Sequence, residues 1–377
     1  MESDAEQPDL ESSSYDGDPR TPERIDVNTL RVTSLRRGAL LSYDRIHNGA
    51  LTRAELVRFA IYSSVVALVG AVIVYLLATD LPAEDVCDDE DAEEDVTEVG
   101  NSGARLCNTR DLLLNLLLLS TLFIAVGVLA GVLAVKTHIN VGYTRKSLHF
   151  ASFFLPFAVN VVIPTQNHYS ITMLKFWIIL VVYVLATKPA RRVIYPSLLM
   201  FRAIDRPSDR PRTLQWLVTQ YLCSSVIVIA LKTYWASLEE YDSDHLIMIL
   251  VLVNGLGDGL AEPVGVKFGK HKYTARTLFF DGELCRRAER GRELFNGALY
   301  CSNAFSRSLE GSSVVYLVSL LSVLGFYNSF ASTTQVVLAA LFLPPIMTLT
   351  EAFSPHTLDS PFLFLIGGLV LTAILFV

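Results

Sequence analysis

Long apolar runs recur along this sequence and leave few architectures open to it. Of the 377 residues, 51% are hydrophobic and only 18% are charged. Runs of near twenty residues with almost no charge are long enough to cross about 30 Å of hydrocarbon as helices, and a soluble domain has no need for so many. The sequence predicts an all-α, polytopic integral membrane protein. We expect about nine transmembrane helices, near residues 59–78, 112–135, 148–164, 171–187, 214–236, 246–266, 311–327, 335–353 and 361–377.

Charged residues between the apolar runs alternate in sign, and this alternation predicts an orientation. Arginines precede the first run, and the loop that follows it, DLPAEDVCDDEDAEEDVTEVG, is acidic. Because basic loops stay on the cytoplasmic side of a membrane, we expect a cytoplasmic N-terminus. The basic face suits anionic lipid headgroups or a polyphosphate, although the positive-inside rule alone accounts for any single lysine or arginine. We expect no nucleic-acid partner.

The N-terminal segment 1–52 is polar, acidic at first and without apolar periodicity, so we expect a disordered cytoplasmic tail. It resembles neither a secretory signal nor a transit peptide. We therefore expect a multi-pass protein of the endoplasmic reticulum membrane, with a plastid membrane as the alternative. Cys87 and Cys107 fall in the acidic loop, where they either pair or stay free thiols. Cys285 and Cys301 lack metal-ligand spacing.

Two carboxylates stand where an apolar run ends, in the stretch NGLGDGLAEPVGVKFGKHKY that begins at Asn254. A charge near the bilayer centre costs about 2.5–3.5 kcal/mol, which predicts a partner, water or an ion. Asp258 and Glu262 are four residues apart and share a helical face, and Pro263 predicts a bend there. With the surrounding glycines and lysines, the pair suits an Mg²⁺-nucleotide. The alternative is a kinked span that packs through small residues.

Two further polar clusters precede apolar runs. In SRSLEGSS, Arg307 suits phosphate, Glu310 suits a metal or the orientation of a base, and Gly311 allows close approach. The alternative is an ordinary helix start with a serine cap and an acid in the first turn. In TRKSLHF, His149 shares a helical face with the arginine four residues before it. Interfacial anchoring by the adjacent arginine and lysine is the alternative there.

A fourth cluster, EAFSPHTLDSP, holds Glu351, His356 and Asp359 between the last two apolar runs. A short polar loop is the alternative explanation for it. The charge argument puts all four clusters on the cytoplasmic side, and it does not depend on the carboxylates or histidines of these clusters. This agreement predicts a shared cytoplasmic site more strongly than any single cluster does.

The four clusters together resemble the motifs of the polyprenol kinase family, which includes dolichol, phytol and farnesol kinases. RKSLH is similar to its Arg-Lys-x-x-His motif, and GDGLAEPVGVKFGKHKY to its Gly-Asp-x-x-Ala signature with a downstream Gly-Lys. RSLEGS resembles its Lys-Thr-x-Glu-Gly element, and EAFSPHTLDSP its C-terminal Glu-Ala stretch ending in Asp-Asn. The order matches over about 145–377. Arg307 stands where the family has lysine and Ser360 where it has asparagine, so the choice of substrate and nucleotide stays open.

The resemblance implies a catalytic membrane domain over 145–377, preceded by a transmembrane hairpin over 53–144 that carries the acidic loop. It implies a kinase of a membrane isoprenoid alcohol such as dolichol or phytol. CTP or ATP would be the donor, with Mg²⁺ or another divalent metal. Two alternatives stay open: an enzyme of the related CTP:phosphatidate cytidylyltransferase type, and a non-catalytic membrane transporter.

The resemblance and the residue chemistry together assign roles. Asp258 and Glu262 would hold the metal, and Asp359 or His149 would accept the hydroxyl proton. Glu310 is a further catalytic candidate. The candidate nucleotide- and phosphate-binding residues are Arg145, Lys146, Gly265, Gly269, Lys270, Lys272, Arg307 and Gly311.

Overall fold

A computed structural model describes residues 35–80, 109–137, 139–165, 169–206, 209–210, 213–238, 241–276, 304–355 and 358–377. Helices dominate these residues, in agreement with the expected membrane class. The four cysteines of the predicted loops and His356 lie outside them. The helices are α1 (Arg37–Asn48), α2 (Arg53–Asp80), α3 (Thr109–Lys136), α4 (Val141–Val162), α5 (Tyr169–Leu185), α6 (Lys188–Val193), α7 (Tyr195–Ile204), α8 (Thr213–Ala236), α9 (Ser243–Leu252), α10 (Gly259–Phe268), α11 (Leu309–Gly325), α12 (Thr333–Phe353) and α13 (Asp359–Leu375).

Helices suited to a membrane occur along the whole described chain. Each predicted apolar run overlaps at least one helix. Three apolar helices are shorter than a full span, namely 172–185, 309–325 and 359–375. The total of nine spans and the cytoplasmic N-terminus stay predictions. Among the described residues, five segments are long and apolar enough to cross a bilayer: Arg53–Leu76, Asp111–Lys136, Thr213–Ala236, Ser243–Phe268 and Thr333–Phe353.

The segment Ser243–Phe268 lies at the centre of the bundle. Protein buries 56% of its most apolar window, against 17% for Arg53–Leu76 and for Thr213–Ala236. Its helix α9 packs against α8, α11 and α13, and its apolar side chains join the largest hydrophobic core. Protein rather than lipid therefore surrounds the run that carries the two carboxylates, and a buried charge there can find a partner.

A two-stranded antiparallel sheet adds to the expected all-α architecture. Strand β1 (Lys272–Arg276) pairs with β2 (Ala304–Ser308), and Lys272 lies opposite Ser308 in the register. Ser308 also caps the next helix, since its Oγ accepts the backbone N–H of Gly311 at 3.1 Å. The sheet thereby ties the end of α10 to the start of α11. The five-residue strands are too short for the hydrophobic period to have predicted them.

Helix α1 corrects the expectation that 1–52 is a disordered tail, at least for its described part. Leu40 is fully buried, and Asp44 forms an ion pair with Arg191 at 2.7 Å. Residues 37–48 are ordered because a distant part of the chain supplies these partners. The polar composition of the segment gave no sign of them. Residues 1–34 lie outside the described ranges.

Candidate functional site

The run that carries Asp258 leaves α-helical geometry before it reaches the carboxylate. Between α9 and α10, residues Val253–Asp258 form a π-helical turn, a rare feature that is frequent at functional sites. Pro263 itself lies inside α10, so the chain stays helical through the residue where the sequence predicts a bend. At the junction, the carbonyl oxygen of Asp258 accepts a hydrogen bond from Nζ of Lys146 at 2.9 Å.

Two glycines let α4 approach this turn closely. A Cβ atom on Gly255 would lie 2.7 Å from the ring of Phe154, and one on Gly259 would lie 2.7 Å from the ring of Phe150. Both distances are shorter than the contacts that Cβ atoms make in proteins, so glycine is the residue that permits this packing. The close contact brings the polar side chains of α4 within reach of Asp258. The glycines of the stretch that begins at Asn254 therefore serve packing, in line with the alternative explanation of a span that packs through small residues.

Asp258, Lys146 and His149 form a buried cluster. Nζ of Lys146 lies 3.0 Å from Oδ2 of Asp258, and Nε2 of His149 lies 3.6 Å from the same oxygen. The His149 Nε2 also lies 3.0 Å from the carbonyl oxygen of Asn254, which can only accept. The other carboxylate oxygen of Asp258, Oδ1, forms no hydrogen bond to the described residues, and the same holds for the buried Oδ1 of Asn254.

A long cavity, here called the main cavity, begins at this cluster. Its volume is about 430 Å³, and Asp258, Lys146, His149, Arg145 and Asp359 line one end of it. Beyond that end its wall is mainly apolar and aromatic. Cavities of this size hold drug-sized organic ligands. The site therefore joins a buried charged cluster to a space suited to a hydrophobic molecule.

Asp359 is oriented at the charged end of the main cavity. Its Oδ1 accepts a hydrogen bond from Nε2 of Gln220 at 2.8 Å and one from the backbone N–H of Ser360 at 3.0 Å. Gln220 also donates to the hydroxyl of Ser360 at 2.9 Å. Among the described residues, Oδ2 of Asp359 has no hydrogen-bond donor. One oxygen thus anchors the carboxylate and the other stays available.

A second cavity, here called the small cavity, lies between α10, β2 and α11. Its volume is about 270 Å³, and its polar wall includes Glu262, Lys272, Arg307 and Glu351. Arg307 forms an ion pair with the buried Glu351, with Nη1 2.7 Å from Oε1, and also donates to the Glu351 carbonyl oxygen at 3.3 Å. Arg307 is therefore held at one wall of the cavity.

Arg307 also connects the two cavities electrostatically. Burial alone would lower the pKa of this guanidinium. The carboxylates of Glu351, Asp359 and Asp258 outweigh burial, and the pKa of Arg307 is raised above its ordinary value. Since Asp258 and Asp359 line the main cavity, Arg307 lies within electrostatic range of both spaces.

Several predicted site residues are engaged elsewhere. Arg206 holds both carboxylate oxygens of Glu262, at 2.9 and 3.0 Å. Glu262 lines the small cavity and Asp258 the main one. The π turn ends at Asp258 and α10 continues past Glu262, so the four-residue spacing between them lies in regular helix. The pairing with Arg206, rather than the helical phase, engages Glu262 away from a metal. Arg145 pairs with Asp209 at 3.1 Å.

Glu310 and Lys270 lie apart from the Asp258 cluster. Oε1 of Glu310 accepts the backbone N–H groups of Lys270 and His271, at 3.0 and 3.2 Å, and lies 2.8 Å from Nδ1 of His271. Within the described chain, Glu310 shares no hydrogen bond or ion pair with Asp258. It closes an exposed turn that leads into β1.

The predicted phosphate-binding glycines lie in a tight helix contact. A Cβ atom on Gly311 would lie 2.7 Å from the carbonyl oxygen of Ala261, and one on Gly265 would lie 2.8 Å from Oγ of Ser308. Gly269 also faces Ser308. Gly265 and Gly311 line the small cavity as well. Their place in packing is clear, and their predicted role with phosphate stays a prediction.

Sequence reasoning gave no role to three residues that shape the site. Gln220 orients Asp359 from within an apolar run, Asn254 accepts from His149, and Glu351 pairs with Arg307. A polar side chain inside an apolar run was the available signal for Gln220 and Asn254. Glu351 was noticed in its cluster, but its partner lies 44 positions earlier in the sequence.

No family model matches the chain, and no curated protein or solved structure matches it. In the described ranges, no group of three or more His, Cys, Asp or Glu side chains is arranged to hold a metal ion.

Proposed function

We propose that this protein is a kinase that transfers the γ-phosphoryl group of CTP, or of another nucleoside triphosphate, to an isoprenoid alcohol dissolved in the membrane. One observation carries the proposal. A long apolar cavity ends at the buried Asp258 and the partly buried Asp359, and the cationic Arg307 of a separate polar cavity lies within electrostatic range of both. A kinase of a lipid alcohol needs such a pair of spaces, one for hydrocarbon and one for phosphate.

The small cavity suits the donor's phosphates. Its volume of about 270 Å³ is below the range of about 300–1,000 Å³ common for complete organic ligands. The triphosphate would therefore enter it while the nucleoside stays outside. Arg307 and Lys272 supply positive charge there, and the hydroxyls of Ser306 and Ser312 supply hydrogen bonds. Phosphoryl transfer depends mainly on such positioning and electrostatics.

The residues present fit an Mg²⁺ ion bound together with the nucleotide. Mg²⁺ takes oxygen ligands and commonly uses one or two carboxylates besides substrate phosphates and water. Asp258 offers Oδ1, which has no donor among the described residues, and the unpartnered amide oxygen of Asn254 lies in the same turn. When bound, the ion would neutralise charge on the phosphates. Glu262 is the second predicted ligand, and it would have to leave Arg206 to bind.

The alcohol would place its hydroxyl at the charged end of the main cavity. Its oxygen forms a bond to the γ-phosphorus, the bond from that phosphorus to the β,γ-bridging oxygen breaks, and the nucleoside diphosphate leaves. The hydroxyl proton goes to Oδ2 of Asp359, because Gln220 and Ser360 anchor the other oxygen. Arg307 stabilises the negative charge on the transferred group. His149 is the alternative proton acceptor.

Labelled nucleotides test the reaction class. Purified protein in lipid nanodiscs is given CTP labelled at the γ-phosphate, or at the α-phosphate, with a mixture of isoprenoid alcohols. We expect the γ label in the lipid fraction and no α label there. Transfer of the α label, with phosphatidate as acceptor, would instead identify a cytidylyltransferase. Absence of both labels with every triphosphate and alcohol tried would rule out the kinase.

A second candidate is a transporter, and one observation favours it. Charged residues line both ends of the main cavity, with Asp258 at one end and Lys175, Lys232 and Asp244 at the other. Flux of a charged solute into proteoliposomes, at a rate unaffected by nucleotide, would support this candidate. The large aromatic side chains between the two ends favour a bound hydrocarbon over a water-filled path.

The proposed kinase would lie in the endoplasmic reticulum membrane, or alternatively in a plastid membrane. Its N-terminus, the Asp258 end of the main cavity and the small cavity would face the cytosol. The basic loops predict this orientation. Protease protection of tags placed at each terminus tests it. We expect cleavage of the N-terminal tag and protection of the C-terminal tag in sealed microsomes, since about nine spans put the termini on opposite sides.

A further inference from the structure

We propose that the main cavity limits the length of the hydrocarbon tail that it binds, and that it selects isoprenoid alcohols of about four repeats over long polyprenols. This inference rests on the proposed function, because it assumes that the ligand is an isoprenoid alcohol. It goes further by assigning the length of the tail and the residue that limits it. That residue is Lys175, at the end of the cavity away from Asp258.

The length of the cavity follows from the helices that line it. Along α4 its wall runs from Arg145 to Asn160, which at 1.5 Å per residue is about 22 Å. Along the opposite wall it runs from Asp258 back to Asp244, which is at most about 21 Å, because the π turn rises less per residue than an α-helix. An isoprene repeat adds four chain bonds of about 1.5 Å and spans about 5 Å when extended. The cavity therefore holds about four repeats.

The wall between the two ends suits a branched hydrocarbon. It includes Phe153, Phe157, Ile179, Met248 and Phe364. The flexible thioether of Met248 adapts to methyl branches, and the apolar wall favours burial of the tail. The volume of about 430 Å³ fits one such tail and leaves no room for the many repeats of a long polyprenol.

Polar side chains line the far end. Nζ of Lys175 donates to Oδ1 of Asn160 at 3.1 Å and to Oγ1 of Thr165 at 3.0 Å. No carboxylate among the described residues pairs with this ammonium. Beside it, Lys232 and Asp244 form an ion pair at 2.6 Å. A tail that reached these groups would remove water from a charge without replacing its hydrogen bonds, which is unfavourable.

Removal of the ammonium tests the length limit. We would measure displacement of a fluorescent four-repeat alcohol from nanodisc-embedded protein, without nucleotide, by alcohols of two, three, four, six and eleven repeats. For the unchanged protein we expect the tightest binding at four repeats and at least about tenfold weaker binding at six. Lys175→Met keeps an unbranched chain and should raise six-repeat binding to within about threefold of four-repeat binding. Lys136→Met, at an exposed lysine outside the cavity, should leave the profile unchanged.

A second variant shifts the limit in the opposite direction. Ser224 lies midway along α8, lines the cavity, and its buried hydroxyl has no hydrogen-bond partner among the described residues. Ser224→Phe should block the cavity at about half its length and move the optimum to two or three repeats. The Ser224 test does not depend on whether the Lys175 variant folds.

The outcomes separate this inference from the proposed function. The optimal tail length could shift in the two variants as expected while no phosphoryl transfer is detected. That result would support the length limit and contradict the proposed kinase activity. Phosphoryl transfer could instead occur while alcohols of four and eleven repeats bind with equal affinity in the unchanged protein and in both variants. That result would support the kinase activity and contradict the length limit. Absence of binding by every alcohol would overturn the inference directly.

Discussion

The two cavities of this protein differ in where their charged residues lie. The main cavity has its charged groups at its ends and is apolar between them, whereas the small cavity is lined by both acids and bases, with hydroxyls and small residues between them. In the small cavity, Glu262 and Glu351 oppose Lys272 and Arg307, so these four side chains sum to no net charge. A triphosphate is strongly anionic. It would therefore bind there only with a cation of its own, which is a physical reason for the metal in the proposed reaction.

The comparison also explains how buried carboxylates are tolerated. Asp258 at the main cavity has Lys146, and Glu351 at the small cavity has Arg307. Each pair is largely removed from solvent, so each partner is needed mainly because its loss leaves an uncompensated charge. The predictions below remove one partner at a time, on one side and then on the other.

The largest effect is expected for Lys146→Met, which leaves Asp258 buried and unpaired. We expect a loss of about 3–5 kcal/mol in the free energy of unfolding, measured as a fall in the thermal unfolding temperature of detergent-solubilised protein. The double variant Lys146→Met/Asp258→Asn should recover most of this loss, because the neutral amide needs no counter-ion. If the double variant is no more stable than the single one, the ion pair is not the source of the effect.

Asp258→Asn alone should remove activity, and because it leaves the Lys146 ammonium buried without its counter-ion, we expect some loss of stability as well. The carboxylate would no longer bind metal or hold Lys146 through a charge, and a loss of one such electrostatic contact commonly costs about 10²–10³ in turnover. Labelled phosphate transfer measures this, with insertion checked by detergent extraction and gel filtration. Alcohol binding in the absence of nucleotide should stay within about threefold. Near-normal turnover would sink the proposed metal role of Asp258.

Part of this site was predictable from the sequence because its parts follow local rules. Apolar runs predict helices, and a charge inside such a run predicts a partner. Those rules singled out Asp258, and the charge argument put the separate cluster with Lys146 and His149 on the same side of the membrane. These three side chains do lie in one cluster.

The remainder depends on geometry that no local rule contains. Glu262 was predicted to hold a metal with Asp258, but Arg206, 56 positions earlier, binds both of its carboxylate oxygens. Glu351 and Arg307 meet only because α12 returns to the sheet that α11 follows. Helix α1 is ordered by a pairing of Asp44 with Arg191, more than a hundred residues away. In each of these cases a tertiary contact, which the local sequence pattern does not contain, decided the outcome.

The small cavity is tested by Arg307→Gln. Loss of the guanidinium removes positive charge from the proposed phosphate site, and we expect a fall of about 10²-fold in kcat/KM for the nucleotide. Alcohol binding without nucleotide should be unchanged, since Arg307 does not line the main cavity. Arg307→Lys, which keeps the charge that the resembled family has at this position, is the matched control and should lose less. Weaker alcohol binding with normal nucleotide kinetics would reverse the assignment of the two cavities.

The smallest effect is expected for Glu310→Gln, and it separates the exposed turn from both cavities. The resemblance made Glu310 a catalytic candidate, whereas its contacts are the backbone N–H groups of Lys270 and His271. Glutamine keeps an acceptor oxygen for those groups, so turnover should stay within about twofold, as for most surface substitutions. Glu351→Gln is the matched change at a buried carboxylate and should lower turnover far more, because it leaves Arg307 without its counter-ion. A loss at Glu310 as large as that at Glu351 would mean that the turn before β1 moves into the small cavity when nucleotide binds, and that the two cavities alone do not contain the site.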